Sequence, residues 1–312
     1  MLICYQTREL RNIMIDKNAR ITILTSTYNR PESLKKLYKS LCQQTDKRMV
    51  WWIVDDGSTV AVSPTVNQLI SNNNDFEIKY TVLKNGGKHR ALNAIIPKIV
   101  TDLTVIVDDD DVLVDDAIET ILKDYEVAKQ ENIGSLIYER GKMQNVPVQP
   151  LPNKIDFGRR YWYLLNHHIS GDFTDVFVTK CLQKFRLPEF KNEKFISEGP
   201  LYVEFSKVFR SKFIKKIIQV GAYQPNGLTN SIRKLEIENP NGAIYEQMLY
   251  LAQGNTPLFY RIKKSVLVGR ISAFIKKSPL KNNIIRNKKE INLLIMMSYY
   301  MYGFLLKLKE VL

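Results

Sequence analysis

Between residues 20 and 130 the chain alternates short apolar runs with segments of helical pattern, four times in succession. This is the pattern of βαβ units, in which parallel strands are buried beneath helices on both faces of a sheet. The predicted strands are Ile21–Thr27, Met49–Val54, Phe76–Leu83 and Leu103–Val107, each followed by a predicted helix (31–43, 63–72, 89–99 and 115–130). The alternation therefore predicts an α/β fold with a mostly parallel central sheet.

Polar residues follow each predicted strand or begin soon after it. They are Thr27-Tyr28, Asp55-Asp56, Asn85–Lys88 and Asp108–Asp111. Ligands of parallel α/β sheets bind beyond the carboxyl ends of the strands. We therefore expect the four clusters to meet at one edge of the sheet and to form a single site there.

The four consecutive aspartates Asp108–Asp111 are the most charged of these clusters. Adjacent carboxylates in one turn repel one another, and a hard divalent cation relieves this repulsion. Mg²⁺ and Mn²⁺ prefer carboxylate oxygens, often together with substrate phosphates. Acidic residues also favour the first turn of a helix, so a helix N-terminus is the structural alternative.

The segment Asn85–Lys88 places two glycines ahead of a predicted helix. Glycines permit close approach of the backbone to a ligand, and a helix N-terminus attracts anions. A phosphate or a sugar is the expected ligand, and a structural glycine turn with solvated cations is the alternative. For Asp55-Asp56-Gly57-Ser58 the alternative to ligand binding is a plain turn, because Asp, Gly and Ser all favour turns.

Several motifs in order resemble the family 2 glycosyltransferases. They are TSTYNRPESL at 25–34, WWIVDDGST at 51–59, NGGKHRALN at 85–93 and VIVDDDDVLVDDAIE at 105–119, and the resemblance extends to 171–199 and 221–234. It implies a GT-A fold, a Rossmann-like α/β/α sandwich with a mostly parallel sheet. It also implies an inverting, metal-dependent transfer of sugar from a nucleotide-sugar donor, most often a UDP-sugar.

The resemblance assigns a donor-binding role to residues at the strand ends. Tyr28 is expected to stack on the base, as aromatic rings do, with ordinary packing beneath a loop as the alternative. Asp56 is expected to accept a hydrogen bond from the uracil imide. The full donor-binding set is Thr27, Tyr28, Arg30, Asp56, Asn85, Gly86, Lys88, Arg90, Asn93, Asp108 and Asp109.

The family's Asp-X-Asp pattern makes the four aspartates unequal. Asp110 is the expected direct ligand of Mn²⁺ or Mg²⁺, and Asp108 is its signature partner, reaching the donor or the metal through water. Asp109 fills the variable position. Asp111 is expected to cap the following helix or to support the site.

Direct displacement also needs a base for the acceptor hydroxyl. Glu198 occupies the position at which the family opens its acceptor-side helix, and it is the candidate. Many relatives carry a Glu-Asp pair there, whereas this chain has Glu198-Gly199, so Glu198 must act alone or the assignment fails. A helix N-terminal acid is the alternative. Asp172 is expected to serve the acceptor or the structure.

Other residues receive weaker assignments. Arg233 and Lys234 would close over the diphosphate or remain solvated. The adjacent histidines His167 and His168 are expected to serve surface or packing roles, because neighbouring residues of a strand face opposite sides.

The last 58 residues differ in character from the rest. Residues 255–312 carry 12 Lys and Arg against two Asp and Glu, which is +10 of the chain's net +14. The apolar block 291–306 is shorter than the roughly 20 residues of a membrane-spanning helix, and its basic flanks suit a helix lying in the membrane interface. A core or dimer helix is the alternative. Nucleic acid is not an expected partner, because no nucleic-acid-binding motif accompanies the charge.

These features predict a domain plan and a location. Residues 1–250 form the GT-A domain, with a nucleotide-binding half at 20–133 and an acceptor half at 134–250. Residues 251–312 form a basic helical tail that associates with a membrane or a partner subunit.

The cysteines indicate an intracellular protein. Three scattered residues, Cys4, Cys42 and Cys181, indicate reduced thiols. The expected location is the cytoplasmic face of the plasma membrane.

The expected function is transfer of a sugar from a UDP-sugar to a hydroxyl of a surface glycan or a lipid-linked oligosaccharide. One alternative is a nucleotidyltransferase on a similar sheet. That enzyme would require a glycine-rich basic loop after the first strand, where this chain has TSTYNRPES. The other is a non-catalytic, membrane-associated scaffold.

Overall fold

The computed structural model describes residues 18–152, 156–169, 171–221, 228–254, 256–278 and 289–311. The strands in these ranges are β1 Ile21–Thr27, β2 Met49–Asp55, β3 Glu77–Val82, β4 Leu103–Ile106, β5 Asp111–Leu113, β6 Ser135–Met143, β7 Val146–Pro147, β8 Phe157–Gly158, β9 Phe173–Val178 and β10 Ser211–Gly221. The helices are α1 Pro31–Cys42, α2 Ser63–Asn72, α3 Lys88–Ile95, α4 Ala117–Ala128, α5 Arg160–Asn166, α6 Thr179–Leu182, α7 Gly199–Val208, α8 Leu228–Glu238, α9 Pro240–Ala252, α10 Leu258–Phe274 and α11 Lys289–Val311. Cys4, most of the basic stretch 281–290 and part of the family-like segment 221–234 lie outside the described residues.

The four predicted strand and helix pairs are confirmed to within about two residues at each end, except that α3 ends at Ile95 and a 3-10 turn, Ile96–Lys98, occupies the rest of the predicted helix 89–99. Their strands β1 to β4 form one parallel group in the order β3-β2-β1-β4. In the register of this group Ile21 lies opposite Met49 and Thr27 opposite Asp55, so β1 and β2 end at the same level. The alignment of their ends is what brings the polar clusters together.

The second half of the sheet departs from the sequence-based expectation. The sequence from Tyr138 to Asp156 is polar and contains prolines, which favours a loop or a pair of short strands, but β6 runs from Ser135 to Met143 within the central sheet. The strand order continues from β4 through β9, β6 and β10 to β5. β9 is antiparallel to both neighbours, β6 and β10 are parallel, and β5 pairs antiparallel with β10.

Both faces of the sheet are covered. Ile21 and Ile23 of β1 are fully buried in a core shared with α1, α2 and α4. The alternate residues Thr22 and Leu24 point to the opposite face and are also buried. Burial on both faces is the character of a sheet between two helical layers, and the fold is the expected α/β/α type.

The described chain groups into two compact units. The first contains the described residues up to Arg160, with Ile169–Arg186 and the segment from Val208 to 221, and it holds the sheet. The second contains Tyr161–His168, Leu187–Lys207 and the described residues after 224, and it is helical. Its core includes Ile244 and Leu251 of α9, Val268 and Ile271 of α10, and Ile295 of α11.

Helices α10 and α11 cross closely. At Gly269 of α10 an added Cβ would lie 2.6 Å from the Cβ of Ser298 and 2.7 Å from the carbonyl oxygen of Ile295. The Ser298 hydroxyl also donates to the carbonyl of Val266 at 2.9 Å. A glycine at 269 is therefore what allows the two backbones to approach.

Candidate active site

The end of β1 contacts the aspartate run directly. The Thr27 hydroxyl donates to Oδ2 of Asp109 at 2.7 Å, and both side chains are buried. Arg30, three residues after the strand, donates from Nη1 to Asp109 at 3.2 Å and to Asp110 at 3.0 Å. Burial raises the pKa of Asp109, and the hydrogen bond from Thr27 opposes this rise. The structure thus brings four predicted site residues together at one strand end.

Asp108 pairs with a different cation. The Lys88 ammonium lies 2.5 Å from Oδ1 of Asp108, and it holds the pKa of that carboxyl below its usual range. Lys88 is the first residue of α3, directly after Gly87, whose φ of 96° favours glycine. The glycine turn therefore sets the helix start that carries Lys88 to the aspartates.

Asp111 turns away to a buried ion pair that the sequence did not indicate. Nη2 of Arg140, on β6, lies 2.7 Å from both carboxylate oxygens of Asp111, and Gln219 of β10 donates to the same group. Burial raises the pKa of Asp111 to about 6, and Arg140 opposes the rise. Asp111 does not cap a helix, since α4 begins at Ala117. It supports the site by tying β5 to β6 and β10.

Asp56 anchors the glycine segment. Its carboxylate accepts hydrogen bonds from the backbone of Gly86 at 2.8 Å and of Gly87 at 2.7 Å, and from the Asn85 amide at 3.2 Å. Arg90 closes the same turn by donating to the carbonyl of Gly86 at 2.7 Å. The predicted contact of Asp56 with a uracil base stays a prediction. Asp56, which follows β2, fixes the glycine loop that lies between β3 and α3.

The loop after β1 is tied to the loop after β2. Asn29 has a φ of 57°, and its side-chain oxygen accepts from the backbone of Thr59 at 2.8 Å and of Val60 at 2.9 Å. Tyr28, beside it, is 44% exposed. The stacking of Tyr28 on a base stays a prediction, and so does its alternative, packing beneath a loop. Asn93, on α3, is buried, and its donor contact remains a prediction.

The aspartates suit a divalent cation by their chemistry. Asp108 and Asp110 offer carboxylate oxygens, the ligands that Mg²⁺ and Mn²⁺ prefer. The described residues contain no group of three or more His, Cys, Asp or Glu placed to hold a metal. Mg²⁺ is commonly held by one or two carboxylates together with substrate phosphates, so a pair of aspartates fits an ion that arrives with a nucleotide.

The remaining candidates lie elsewhere in the chain. Asp172, in the first unit, is 76% exposed and lies 3.8 Å from Arg140. Glu198 belongs to the second unit and directly precedes α7. Lys234 is exposed and pairs with Glu238 at 3.8 Å. The ring of His167 stacks on Tyr163 at 4.3 Å, in agreement with a packing role.

Comparison with known families gives one match over much of the chain. The model of Glycosyl transferase family 2 matches residues 22–183. A curated relative, the GalNAc(5)-diNAcBac-PP-undecaprenol beta-1,3-glucosyltransferase of Campylobacter jejuni, is 25% identical over 209 residues. The match covers 64% of this chain and 64% of that relative, so the chain spans just under two thirds of its length.

Solved structures share the fold at low identity. TarS 1-349 of S. aureus in complex with UDP-GlcNAc superposes with a TM-score of 0.57 at 15% identity, covering 89% of this chain and 79% of that one. The mannosyltransferase PcManGT of Pyrobaculum calidifontis, in complex with GDP-Man and Mn²⁺, gives 0.57 at 12% identity, covering 91% and 86%. A longer TarS structure gives 0.54 at 14% identity and covers 91% of this chain, which spans 55% of it.

Proposed function

Because this chain belongs to glycosyltransferase family 2, whose model matches more than half of it, we propose that it moves a sugar from a UDP-sugar to a hydroxyl of a lipid-linked glycan. The reaction would be a direct displacement that inverts the anomeric carbon and depends on Mn²⁺ or Mg²⁺. Glycosyl transfer itself follows from the family. The donor, the acceptor, the metal and the stereochemistry are our proposal.

The observation that carries the proposal is the convergence at the ends of β1, β2 and β4. Thr27, Arg30 and Lys88 all contact the aspartate run, and Asp56 fixes the glycine loop beside it. A nucleotide diphosphate needs a flat surface for its base, cations for its phosphates and an oxygen-ligated metal. Tyr28, the pair Arg30 and Lys88, and the pair Asp108 and Asp110 meet these three needs.

The proposed chemistry divides between residues that bind and a residue that accepts a proton. Asp110 and Asp108 would hold the cation, which when bound would supply positive charge to the leaving diphosphate. Arg30 and Lys88 would add positive charge to the same oxygens, and Tyr28 would hold the base. Glu198 is proposed to take the acceptor proton as the acceptor oxygen forms its bond to the sugar. The electron pair of the broken bond leaves with UDP.

Two similar proteins support this choice of substrates. One solved structure is in complex with UDP-GlcNAc, and the curated relative is named for a polyprenol-linked acceptor. We expect the purified chain to release UDP from at least one of UDP-Glc, UDP-GlcNAc and UDP-GalNAc when Mn²⁺ and a polyprenol-diphosphate glycan are present. EDTA should abolish the release, and GDP-mannose should be a poor donor.

The same assay separates the alternative functions. Formation of a nucleotide sugar from a sugar phosphate, with release of pyrophosphate, would identify a nucleotidyltransferase instead. A chain that binds lipid-linked glycan but releases no nucleotide from any donor would be a scaffold.

We also propose that the second unit rests on an anionic membrane at the cytoplasmic face. Helix α11 is 23 residues long, and its stretch Lys289–Leu308 is long and apolar enough to cross a bilayer by length and composition. It therefore exceeds the 16-residue block that the sequence indicates. Ile295 and Ser298 pack inward, and the opposite face is apolar and exposed. This exposed stripe comprises Leu293, Met297, Tyr300, Met301, Phe304 and Leu305.

The positive charge of residues 255–312 makes an anionic lipid surface a better partner for the apolar stripe than a second copy of this chain. The residues of the stripe are 47–66% exposed, and residues 255–312 carry a net charge of +10. Apolar side chains with basic neighbours bind anionic lipid interfaces. A homodimer would bring two such tails together and repel.

Vesicle flotation tests this surface. Changing Met297 and Phe304 to serine should weaken binding to phosphatidylglycerol vesicles at least about tenfold, since each large side chain buried contributes about 1.5–3 kcal/mol. A matched control changes two exposed valines of the first unit, Val100 and Val127, to serine and should bind normally. Equal binding by both variants, or a dimer that dissociates only in the tail variant, would contradict the membrane role.

A further inference from the structure

Arg140 is attached to the same turn that carries the proposed metal ligands. The backbone N–H of Asp111 donates to the carbonyl of Asp108 at 3.1 Å, which closes a turn over Asp108–Asp111. Nη2 of Arg140 lies 2.7 Å from both carboxylate oxygens of Asp111. Lys88 lowers the pKa of Asp108, and the charge of Arg140 adds to this effect. The guanidinium therefore lies beside the position that the donor diphosphate is proposed to occupy.

Asp172 lies at another nitrogen of the same guanidinium. Nη1 of Arg140 and Oδ2 of Asp172 are 3.8 Å apart, which is close enough for an ion pair but too long for a hydrogen bond. The Asp172 side chain is 76% exposed, and that of Arg140 is 21% exposed. The bonds to Asp111 use Nη2, which leaves the N–H groups of Nη1 for another acceptor. An exposed ion pair of this length contributes little to stability.

The space between the two charged groups suits a hydroxyl. A hydroxyl both donates and accepts, whereas a carboxylate only accepts and a guanidinium only donates. A hydroxyl beside this gap can accept from Nη1 of Arg140 and donate to Oδ2 of Asp172, each at about 2.8–3.0 Å. The Asp172 carboxylate would repel a phosphate, and the Arg140 guanidinium would repel a cation. The pair therefore favours a neutral group that donates and accepts, and sugars carry several such groups.

The backbone before Asp172 is restricted. Gly171 has a φ of 147°, which favours glycine. An added Cβ at this position would lie 2.8 Å from the Cβ of Gln149, which cannot move without its own backbone. A larger residue at 171 would therefore displace the chain at Asp172. The glycine keeps Asp172 near Arg140 although the aspartate side chain is exposed.

Two buried oxygens beside the ion pair lack a hydrogen-bond partner. Oε1 of Gln219 and Oγ1 of Thr174 have none within the part of the chain that the structure describes. Gln219 lies opposite Arg140 in the register of β6 and β10. Thr174 lies opposite Tyr138, whose side chain shares a face of β6 with Arg140. Buried polar atoms without partners cost free energy and are rare. The polar region around Arg140 is therefore not satisfied by the described residues alone.

We propose that Arg140 and Asp172 together bind one hydroxyl of the sugar that the donor carries. This inference rests on the proposed function, and it adds a determinant of which donors the chain accepts. The sugar is joined directly to the diphosphate, so it lies next to the turn that holds Arg140. Arg140 donates to the hydroxyl oxygen, and Asp172 accepts from the hydroxyl. A donor that lacks this hydroxyl leaves both charged groups without that partner and is rejected.

Asp172→Ala removes the carboxylate without disturbing the buried pair of Arg140 and Asp111. We expect kcat/KM for the donor to fall about 10- to 100-fold, in the range for loss of a hydrogen bond to a charged group, with the Kd for UDP unchanged. The probes are the donor among UDP-Glc, UDP-GlcNAc and UDP-GalNAc that supports transfer, and its analogues that each lack one sugar hydroxyl. The matched control is Asp156→Ala, since Asp156 is 68% exposed and lies 3.7 Å from Lys212. The control should leave kcat/KM unchanged.

The deoxy donors identify the hydroxyl. With the wild type, one of them should lose as much activity as Asp172→Ala does with the full donor. Asp172→Ala should lose nothing further with that analogue, because both changes remove the same hydrogen bond. An equal effect of Asp172→Ala on every deoxy donor, a changed Kd for UDP, or an effect confined to the KM of the acceptor would overturn the role of Asp172 and leave glycosyl transfer intact. If the wild type releases UDP from none of the three donors, the proposed function fails, and this inference fails with it.

Discussion

Asp110→Asn is expected to lower the rate of sugar transfer about 100- to 1000-fold, because a metal ligand that stabilises a leaving diphosphate contributes several kcal/mol to the transition state. Asparagine keeps the shape of the side chain and loses its charge. The folded state should survive, since Asp110 is partly exposed and its ion-pair partner, Arg30, also bonds to Asp109. The effect should therefore fall on metal-dependent nucleotide binding and on kcat.

Titration calorimetry of Mn²⁺ binding tests the role of Asp110 independently of enzyme activity. Titrating Mn²⁺ into the UDP-saturated protein should show binding for the wild type and for Asp75→Asn, an exposed aspartate in the same unit. Asp110→Asn should show little. If it binds Mn²⁺ as tightly as the wild type, Asp110 is not the ligand, and Asp108 becomes the next variant to measure.

The second large effect is expected on stability. Arg140→Met should lower the free energy of unfolding by about 3–5 kcal/mol, the cost of leaving one charge of a buried pair without its partner. The Asp111 side chain is 2% exposed and that of Arg140 is 21% exposed, so water cannot replace the lost cation. Urea denaturation followed by circular dichroism measures the change.

A double variant and the pH dependence identify the cause. Arg140→Met combined with Asp111→Asn removes both charges and should recover most of the lost stability. The pKa of Asp111 is already raised by burial to about 6, and without Arg140 it should rise further. A carboxyl whose pKa is raised in the folded state lowers the free energy of unfolding when it is charged, and it does not when it is protonated.

The penalty in Arg140→Met should therefore be small near pH 4 to 5 and should grow as the pH rises through the folded-state pKa. A loss of stability that is equal at about pH 5 and pH 8 would mean that the charge of Asp111 is not the cause.

The parts of the fold that could be predicted are those whose signal is local. Strands β1 to β4 are short apolar runs, and each is followed along the chain by its own helix, which for β4 comes after the short strand β5. Their alternation needs no knowledge of distant residues. Three later strands, β6, β9 and β10, were not predicted as such.

Their sequences show why. In β10 the register shifts between Ile214 and Ile217 and again before Gln219, and such irregularities break the alternation on which strand prediction depends. In β9 the polar residues Thr174 and Asp175 are buried, the latter against Arg160 at 2.6 Å. A buried polar pair gives a strand the composition of a loop.

In the candidate site, too, residues with a local sequence signal were predicted and residues brought in by distant strand pairing were not. The clusters at Thr27, Asp56 and Asp108–Asp111 were predicted because each follows an apolar run. Arg140 was missed, although the run Leu136–Tyr138 ends in Glu139-Arg140 and carries the same kind of signal. Gln219 gave no such signal. It reaches Asp111 only because β5 pairs antiparallel with β10, a contact that spans 108 residues of sequence.

The aspartate run also has a consequence for how ligands arrive. Four carboxylates contact three cationic side chains, Lys88, Arg30 and Arg140, so the local charge is nearly balanced before any ligand binds. A divalent metal alone would leave this region with excess positive charge, and a diphosphate alone would leave it negative. The two together change the balance little. The proposed metal and nucleotide should therefore enter as a nearly neutral pair, each strengthening the binding of the other, and this mutual dependence would keep free phosphate and free metal out of the site.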